Sequence, residues 1–203
     1  MIAIVDCGVG NIRSVQKALE EIYPKVVITD KPDVVSEASG IVLPGVGSFG
    51  DAVDELKSSG LFEALRIELL TKPTLGICLG MQLLFESSEE DEKGRRGLGV
   101  FEGMVRPFPT GGVRVPHTGW NRLLPTQKPF FGGYVYFNHS YYCDPVDSSL
   151  VVANVLHHIP VPAVLSKNGI LATQFHPEKS QEAGQKILRY WVETLKKQRG
   201  ELN

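Results

Sequence analysis

The stretch Pro73-Thr74-Leu75-Gly76-Ile77-Cys78-Leu79-Gly80-Met81-Gln82 decides the fold, because a short apolar run leads into it and a helical pattern leads out of it. Glycines two residues before and two residues after Cys78 leave room for a sharp strand-to-helix turn, the nucleophile elbow. A thiol at such a turn lies at a helix N-terminus, where free backbone N–H groups favour the thiolate. The pattern predicts a nucleophilic cysteine. The alternative is a buried structural cysteine, the commonest role of an unpaired Cys.

Around this turn, apolar runs typical of buried strands alternate with helical stretches. The predicted strands are Ile2 to Val5, Val26 to Thr29, Gly40 to Leu43 and Thr74 to Ile77. This alternation predicts an α/β fold with a largely parallel central sheet and helices on both faces. After residue 93, short β-branched and aromatic runs broken by Gly and Pro indicate an additional antiparallel β region.

The rest of the chain shows no linker or repeat that would divide it. We interpret the charged stretch Glu86 to Arg96 as a surface loop, and we predict a last amphipathic helix capped by Ser180. A chain of 203 residues with 42% hydrophobic residues can bury one sizeable core. We therefore expect a single domain over residues 1–203.

A candidate general base lies far downstream, in His176-Pro177-Glu178. Because Pro177 disfavours the α region for the residue before it, we expect His176 and Glu178 to be extended, with both side chains on one side of the chain. Glu178 would then orient the imidazole, as the acid of a Cys-His-Glu triad does. Taken alone, His-Pro-Glu is more often a solvated loop.

The stretch Ile41 to Gly50 predicts a buried strand that runs into a glycine-rich loop. Acyl transfer needs two N–H donors at the developing oxyanion. Leu79 can supply one from the elbow, and Val46 or Gly47 can supply the other. Gly45-x-Gly47-x-x-Gly50 also fits a dinucleotide fingerprint. We reject that interpretation because the fingerprint belongs in the first βα unit of a fold.

Composition and charge exclude several classes of function. A formal net charge of −2 and a pI near 6.2 give no electrostatic reason to expect nucleic acid or an anionic membrane as a partner. Three widely spaced cysteines favour neither a disulfide framework nor a zinc site, and they suit a reducing cytoplasm. No targeting segment or apolar run of membrane-spanning length is evident. Adjacent side chains face opposite ways in a β run, so His157-His158 is a poor metal site, and we expect no metal and no cofactor.

Together the elbow, the His-x-Glu and the glycine-rich loop resemble the class I, triad-type glutamine amidotransferases, and the resemblance covers nearly the whole chain. Finer motifs resemble the glutaminase subunits of imidazole glycerol phosphate synthases. These motifs are Asp6-x-Gly8-x-Gly10-Asn11, Pro44-Gly45-Val46-Gly47-Ser48-Phe49-Gly50, Pro116-His117-x-Gly119-Trp120-Asn121 and Tyr136-Phe137-x-His139-Ser140-Tyr141. The resemblance implies hydrolysis of glutamine to glutamate and ammonia through a thioester on Cys78.

The same resemblance implies a partner, because free ammonia must be passed directly to a synthase. That partner would be a (β/α)8-barrel cyclase in a heterodimer, which makes imidazole glycerol phosphate and aminoimidazole carboxamide ribotide in histidine biosynthesis. The resemblance also implies roles for individual residues. The implied glutamine-binding residues are Gln82, Glu90, His139, Ser140 and Tyr141, and the implied interface residues are Asn11, Trp120, Tyr136 and Lys179.

Simpler roles exist for several of these residues: Gln82 as a helix-surface amide, Glu90 as a solvated charge, and Trp120 and Tyr136 as core aromatics. Other functions also stay open. A thiol hydrolase acting on peptides or esters would carry the same triad. A non-catalytic protein that retains the fold is another alternative, and the glutaminase of pyridoxal phosphate synthase is the nearest rival by size. We also expect low activity in isolation, because a glutaminase without its acceptor would waste glutamine, and the Gly45-Val46-Gly47 loop offers a flexible place to withhold an oxyanion N–H.

Overall fold

The computed structural model describes residues 1–8, 12–112, 114–128, 130–198 and 200. Its strands are β1 (Ile2–Val5), β2 (Val26–Thr29), β3 (Gly40–Leu43), β4 (Thr74–Ile77), β5 (Phe85–Ser88), β6 (Phe101–Pro107), β7 (His117–Pro125), β8 (Gly133–His139), β9 (Tyr141–Pro145), β10 (Val151–His157), β11 (Ile159–Lys167) and β12 (Ile170–Thr173). Its α-helices are α1 (Ile12–Glu20), α2 (Pro32–Glu37), α3 (Phe49–Ser58), α4 (Leu61–Glu68), α5 (Leu79–Leu83) and α6 (Gln181–Gln198). Two short 3₁₀ turns cover Ser148–Leu150 and Pro177–Lys179.

Within these ranges, nine strands form one mixed sheet in the order β2-β1-β3-β4-β12-β11-β10-β7-β8. The pairs from β2 to β12 are parallel, and the pairs from β12 to β8 are antiparallel. The predicted α/β fold class is confirmed, and so are the bounds of the first four strands. The predicted antiparallel region is mainly a continuation of the central sheet.

The helices cover both faces of the parallel half of the sheet, because successive side chains of each strand point to opposite faces. In β1, Ile2 and Ile4 join a buried cluster with α1 and α6, whereas Ala3 and Val5 join a second cluster with α3 and α4. Strands β1, β3, β4 and β12 are buried on both faces and are mostly apolar, whereas β2, at the edge of the sheet, is partly exposed at its centre.

A second, three-stranded sheet pairs β5 with β6 in parallel and β6 with β9 antiparallel. The prediction of a loop over Glu86 to Arg96 was therefore wrong at its start, since residues 86–88 belong to β5. Strand β5 could not be recognised from its sequence, Phe-Glu-Ser-Ser, because it is mostly polar. The polar residues fit a strand at the edge of a small sheet, where only the first and last residues are buried.

The topology brings three distant segments of the chain together. Strands β3, β4 and β12 are neighbours in parallel register. Their carboxyl ends therefore lie side by side at one end of the strands, where ligands bind in open α/β sheets. The 44–47 loop, Cys78 and the segment of His176 follow these three strands. Among the described helices, none is long and apolar enough to cross a bilayer.

Candidate active site

Cys78 occupies a strained turn between β4 and α5. Its φ of 54° and ψ of −108° lie outside the regions that L-residues prefer, and its N–H donates to Thr173 O of the neighbouring strand at 2.7 Å. Such strain is typical of a functional site. The flanking glycines are required sterically: a Cβ on Gly76 would lie 3.1 Å from Gly80 O, and a Cβ on Gly80 would lie 1.7 Å from Leu43 O. The predicted elbow geometry is present.

His176 and Glu178 form a buried pair just beyond β12. Nδ1 of His176 lies 2.9 Å from Oε1 of Glu178, and the two side chains are 4% and 2% exposed. His176 is extended as predicted, with φ −96° and ψ 98°, but the prediction that Glu178 is extended was wrong. Glu178 lies in the 3₁₀ turn Pro177–Lys179, because Pro177 has the fixed φ that starts a helical turn. The turn still brings the carboxylate to the imidazole.

Ser180 also differs from its prediction. Its hydroxyl donates to His176 O at 2.6 Å and accepts from Tyr136 N at 2.9 Å. The N–H of His176 in turn donates to Tyr136 O at 2.9 Å. The described bonds of the hydroxyl therefore hold the histidine segment against β8 and do not cap α6. At the start of α6, the backbone N–H of Gly184 donates to Ser180 O instead.

Two opposing effects set the pKa of His176. Burial lowers it, but interaction with the Cys78 thiol and with Glu178 outweighs burial and raises the pKa to about 9. Nε2 of His176 is buried and makes no hydrogen bond to the described residues. A hydrogen-bonding interaction with the Cys78 thiol is nevertheless the largest of the effects that raise this pKa, so the thiol lies near the imidazole at more than normal hydrogen-bond length. Such bonds are often long in free enzymes and shorten when substrate binds.

The Cys78 sulfur has two polar neighbours that the sequence did not identify. Asn138 O lies 3.8 Å from Sγ, and Gln174 Nε2 lies 3.9 Å from it. Gln174 is fully buried, at 0% exposure. Its spacing of two residues from His176 was a usable signal, because residues i and i+2 of an extended segment share one face.

A pocket of about 240 Å³ opens beside the thiol. Its lining includes the predicted nucleophile, both segments predicted for the oxyanion hole and all five residues predicted to bind glutamine. The lining residues are Val46, Gly47, Cys78, Leu79, Gln82, Glu90, Pro116, Asn138, His139, Ser140 and Tyr141. Pro116 and Asn138 are lining residues that the sequence did not identify. The volume suits a small molecule of the size of an amino acid.

The backbone donor expected from the elbow is already engaged. Leu79 N–H donates to Gly45 O at 3.4 Å. The carbonyl of the glycine-rich loop therefore occupies the direction in which an oxyanion would be bound. Gly47 has a φ of 108°, a conformation that favours glycine, so the loop depends on this residue for its path.

Gln82 and Glu90 do not have the simpler roles considered above. Gln82 is only 5% exposed, and its Nε2 donates to Tyr141 O at 3.1 Å and to Gln174 Oε1 at 3.5 Å. Glu90 is half-buried, and its Oε2 accepts from Phe49 N at 2.8 Å, at the start of α3. The site therefore has a buried amide at one side and a carboxylate at the other.

The ring of His139 connects the pocket wall to a second buried histidine. Its Nδ1 donates to Tyr141 O at 2.8 Å, so its Nε2 accepts from Nδ1 of His117 at 2.9 Å. Burial lowers the pKa of His139 to about 3 and, with the nearby His157 as a smaller cause, that of His117 to about 4. Both rings are therefore neutral at pH 7, and Asn121 Nδ2 completes the row by donating to His117 Nε2 at 3.2 Å.

Three of the predicted interface residues adjoin one another beside the histidine segment. Lys179 Nζ lies 5.8 Å from the centre of the Tyr136 ring, and the rings of Trp120 and Tyr136 meet edge to face at 6.1 Å. Trp120 is 48% exposed, which is inconsistent with a core aromatic. The fourth residue, Asn11, lies outside the described residues.

The remaining cysteines are unsuited to nucleophilic chemistry. Burial raises the pKa of Cys7 to about 12, with smaller contributions from Asp6 and Glu55, and burial also raises the pKa of Cys143 well above its usual value. In the part of the chain that the structure describes, no three His, Cys, Asp or Glu side chains are grouped to hold a metal ion. His157 instead donates from Nε2 to Arg114 O at 2.8 Å.

A family model and several curated relatives match nearly the whole chain. The family model for class-I glutamine amidotransferases matches residues 3–194. A curated relative from Exiguobacterium sibiricum, named imidazole glycerol phosphate synthase subunit HisH, is 46% identical, with 96% of this chain and 95% of that protein covered. A relative of the same name from Caldanaerobacter subterraneus is 43% identical, covering 97% and 99%.

Solved structures show the same fold at low sequence identity. A glutamine amidotransferase crystal structure superimposes with a TM-score of 0.78 at 19% identity, covering 96% of this chain and 98% of that one. A glutamine amidotransferase from Thermotoga maritima gives a TM-score of 0.61 at 17% identity, covering 97% and 96%. At these identities the likeness supports the fold alone.

Proposed function

The chain belongs to the class-I glutamine amidotransferases, and from that premise we propose that it hydrolyses glutamine through Cys78, His176 and Glu178. The observation that carries the proposal lies at the carboxyl ends of adjacent parallel strands, where His176 bonds to Glu178 and interacts with Cys78. Cys78 also lines a pocket of about 240 Å³. We also propose that residues 1–203 work as one domain, since the family model covers most of that range.

The proposed reaction uses the raised pKa of His176. With a pKa of about 9, the imidazole holds a proton at pH 7 and can pair with the Cys78 thiolate. The thiolate attacks the carbonyl carbon of the side-chain amide of glutamine. His176 then gives its proton to the departing ammonia, and a thioester remains. The neutral imidazole then takes a proton from water, whose hydroxide releases glutamate and restores the thiolate. Glu178 holds Nδ1 throughout, so that Nε2 faces the reaction.

The pocket lining supports glutamine as the substrate. Gln82 and Glu90 offer an amide and a carboxylate to the amino-acid end of the ligand, and His139, Ser140 and Tyr141 line the same pocket. A peptide-hydrolysing enzyme would need an open cleft for a chain on both sides of the scissile bond. The small, polar pocket of about 240 Å³ favours a small amide substrate instead.

We further propose that this chain has the role its relatives' name gives, as the HisH subunit of an imidazole glycerol phosphate synthase. It would then supply ammonia to the cyclase of that synthase in histidine biosynthesis. The exposed Trp120, with Tyr136 and Lys179, offers an aromatic and cationic surface for that partner. The backbone of Tyr136 also bonds to His176 N and the Ser180 hydroxyl, so a partner pressing on this strand would act directly on the triad.

The engaged Leu79 N–H supports low activity of the isolated chain. An oxyanion can use this donor only after Gly45 O, now 3.4 Å away, has moved. We propose that the cyclase and its nucleotide ligand favour the conformation with the donor released.

Glutamate release tests both parts of the proposal. We expect slow release by the wild-type chain, a rise of at least about tenfold when the cyclase and its nucleotide ligand are added, and none with Cys78→Ala under either condition. Cys7→Ala is the matched control, since that thiol is buried, lies outside the pocket lining and should leave turnover unchanged. Unchanged turnover on adding the cyclase would refute the gating. Activation by the synthase of pyridoxal phosphate instead would identify the other partner.

A further inference from the structure

We propose that the side-chain amide of Gln174 is a further catalytic residue, which donates a hydrogen bond to the Cys78 sulfur and stabilises the thiolate. The inference rests on the proposed function and concerns the same site. Gln174 is 0% exposed, and its Nε2 lies 3.9 Å from Sγ. A fully buried amide must find partners for its polar atoms, and here one of those partners is the nucleophile.

The direction of the Gln174 amide follows from a chain of donors that starts at a backbone carbonyl. Tyr141 O can only accept, so Gln82 must present its Nε2 to that carbonyl at 3.1 Å. The same NH2 group lies 3.5 Å from Gln174, which must therefore present its Oε1 to Gln82. The NH2 group of Gln174 is left to face the sulfur. The opposite orientation would set two NH2 groups against each other and an amide oxygen against the thiolate.

The amide N–H of Gln174 carries the partial positive charge that stabilises a thiolate. When Cys78 is protonated, its S–H has an acceptor in Asn138 O at 3.8 Å. When the proton leaves, that carbonyl offers nothing to the anion, whereas Gln174 offers an N–H. Ionisable groups that act on the sulfur include His176, paired with Glu178, and the buried thiol of Cys143, while Glu90, His139 and Tyr141 line the same pocket. A neutral amide thus assists the imidazolium without adding a charge that burial would penalise.

Alkylation of Cys78 by iodoacetamide tests this role without requiring glutamine to bind or to be hydrolysed. The rate at Cys78, followed by peptide mass spectrometry across pH, reports the thiolate fraction. Gln174→Met keeps the length of the side chain and removes the donor. We expect the midpoint of the alkylation profile to rise by about one pH unit, with alkylation about tenfold slower below it, as for the loss of a hydrogen bond to a charged group. Gln16→Met in α1, whose amide bonds only to exposed Arg13, is the control and should match wild type.

A profile for folded Gln174→Met that coincides with wild type would overturn the proposal. Should that variant not fold, the wild-type protein still provides a test, because the ¹⁵N-labelled side-chain amide of Gln174 should shift in NMR spectra as Cys78 ionises. An amide resonance that does not move would equally refute the role. Failure of the glutaminase proposal is separate, since it would appear as absent glutamine turnover by wild type with any synthase.

Discussion

Single residues around Cys78 determine how closely the turn approaches the sheet. The backbone of α5 lies against the end of β3, and Gly80 makes the closest approach: an added Cβ would be 1.7 Å from Leu43 O and 2.6 Å from its carbonyl carbon. Because both clashing atoms belong to the backbone, no side-chain rotation relieves them. The glycine after the nucleophile is therefore a steric requirement of the site.

Gly80→Ala should consequently destabilise the protein. We expect the free energy of unfolding to fall by at least about 3 kcal/mol, as the turn must move away from β3. Urea unfolding measures the change. Gly132→Ala is the control, because its Cβ would meet nothing closer than 3.6 Å and it should cost little. Equal stability of the two variants would contradict the steric argument.

Glu178→Gln tests how the imidazole is held. The substitution keeps the shape of the side chain but removes the charge 2.9 Å from Nδ1 of His176. We expect kcat to fall by about 100-fold or more with little change in KM, because Glu178 touches no part of the substrate pocket. The pKa of His176, followed by NMR, should fall below about 9. Glu182→Gln, at an exposed ion pair with Lys186, should leave both quantities unchanged.

At the scale of elements, the short turn after β12 positions the triad through its backbone. Ser180 is 1% exposed and joins this turn to β8, since its hydroxyl bonds both His176 O and Tyr136 N. The position of the imidazole thus depends on β8, the strand at one edge of the sheet. This edge carries the proposed partner surface, so the two functions share one strand.

Ser180→Ala should loosen this connection. We expect a loss of about 1–3 kcal/mol in the free energy of unfolding, because a backbone N–H loses its partner in a partly buried place. Activity should fall as well, since His176 loses part of its support. Ser58→Ala removes a hydroxyl that donates to Glu55 O at an exposed position of α3, and it should change stability by less than about 0.5 kcal/mol. Retention of full activity and stability by Ser180→Ala would disprove the connection.

The sequence predicted the elements whose causes are local. Strands β1 to β4 were predicted with their bounds, because each is a continuous apolar run between breakers. The polar strand β5 was missed, since its pairing with β6 depends on the fold. In the site, Cys78 could be predicted from its flanking glycines. The contact of Gln174 with Cys78 spans 96 positions of the chain, and only the order of β4 and β12 creates it.

At the scale of the whole molecule, two groups of buried histidines respond to pH in opposite directions. His176 is stabilised in its charged form by Cys78 and Glu178, whereas His117 and His139 are held neutral mainly by burial. The charged form of His176 serves the proposed reaction, whereas the neutral rings of His117 and His139 are part of the packing of β7 against β8. Their combined effect limits the stability of the fold on both sides of neutrality.

We therefore expect the melting temperature to be highest near pH 6.5. The pKa of His176 is raised from 6.5 to about 9, so its contribution to stability is complete below pH 6.5 and is lost as the pH rises toward 9. The pKa values of His117 and His139 are lowered to about 4 and about 3, so the unfolded chain binds more protons and stability falls as the pH drops below 6.5. Calorimetry across pH 4 to 9 measures both limbs. His176→Asn should flatten the alkaline limb alone, and an unchanged limb in that variant would show that another group causes it.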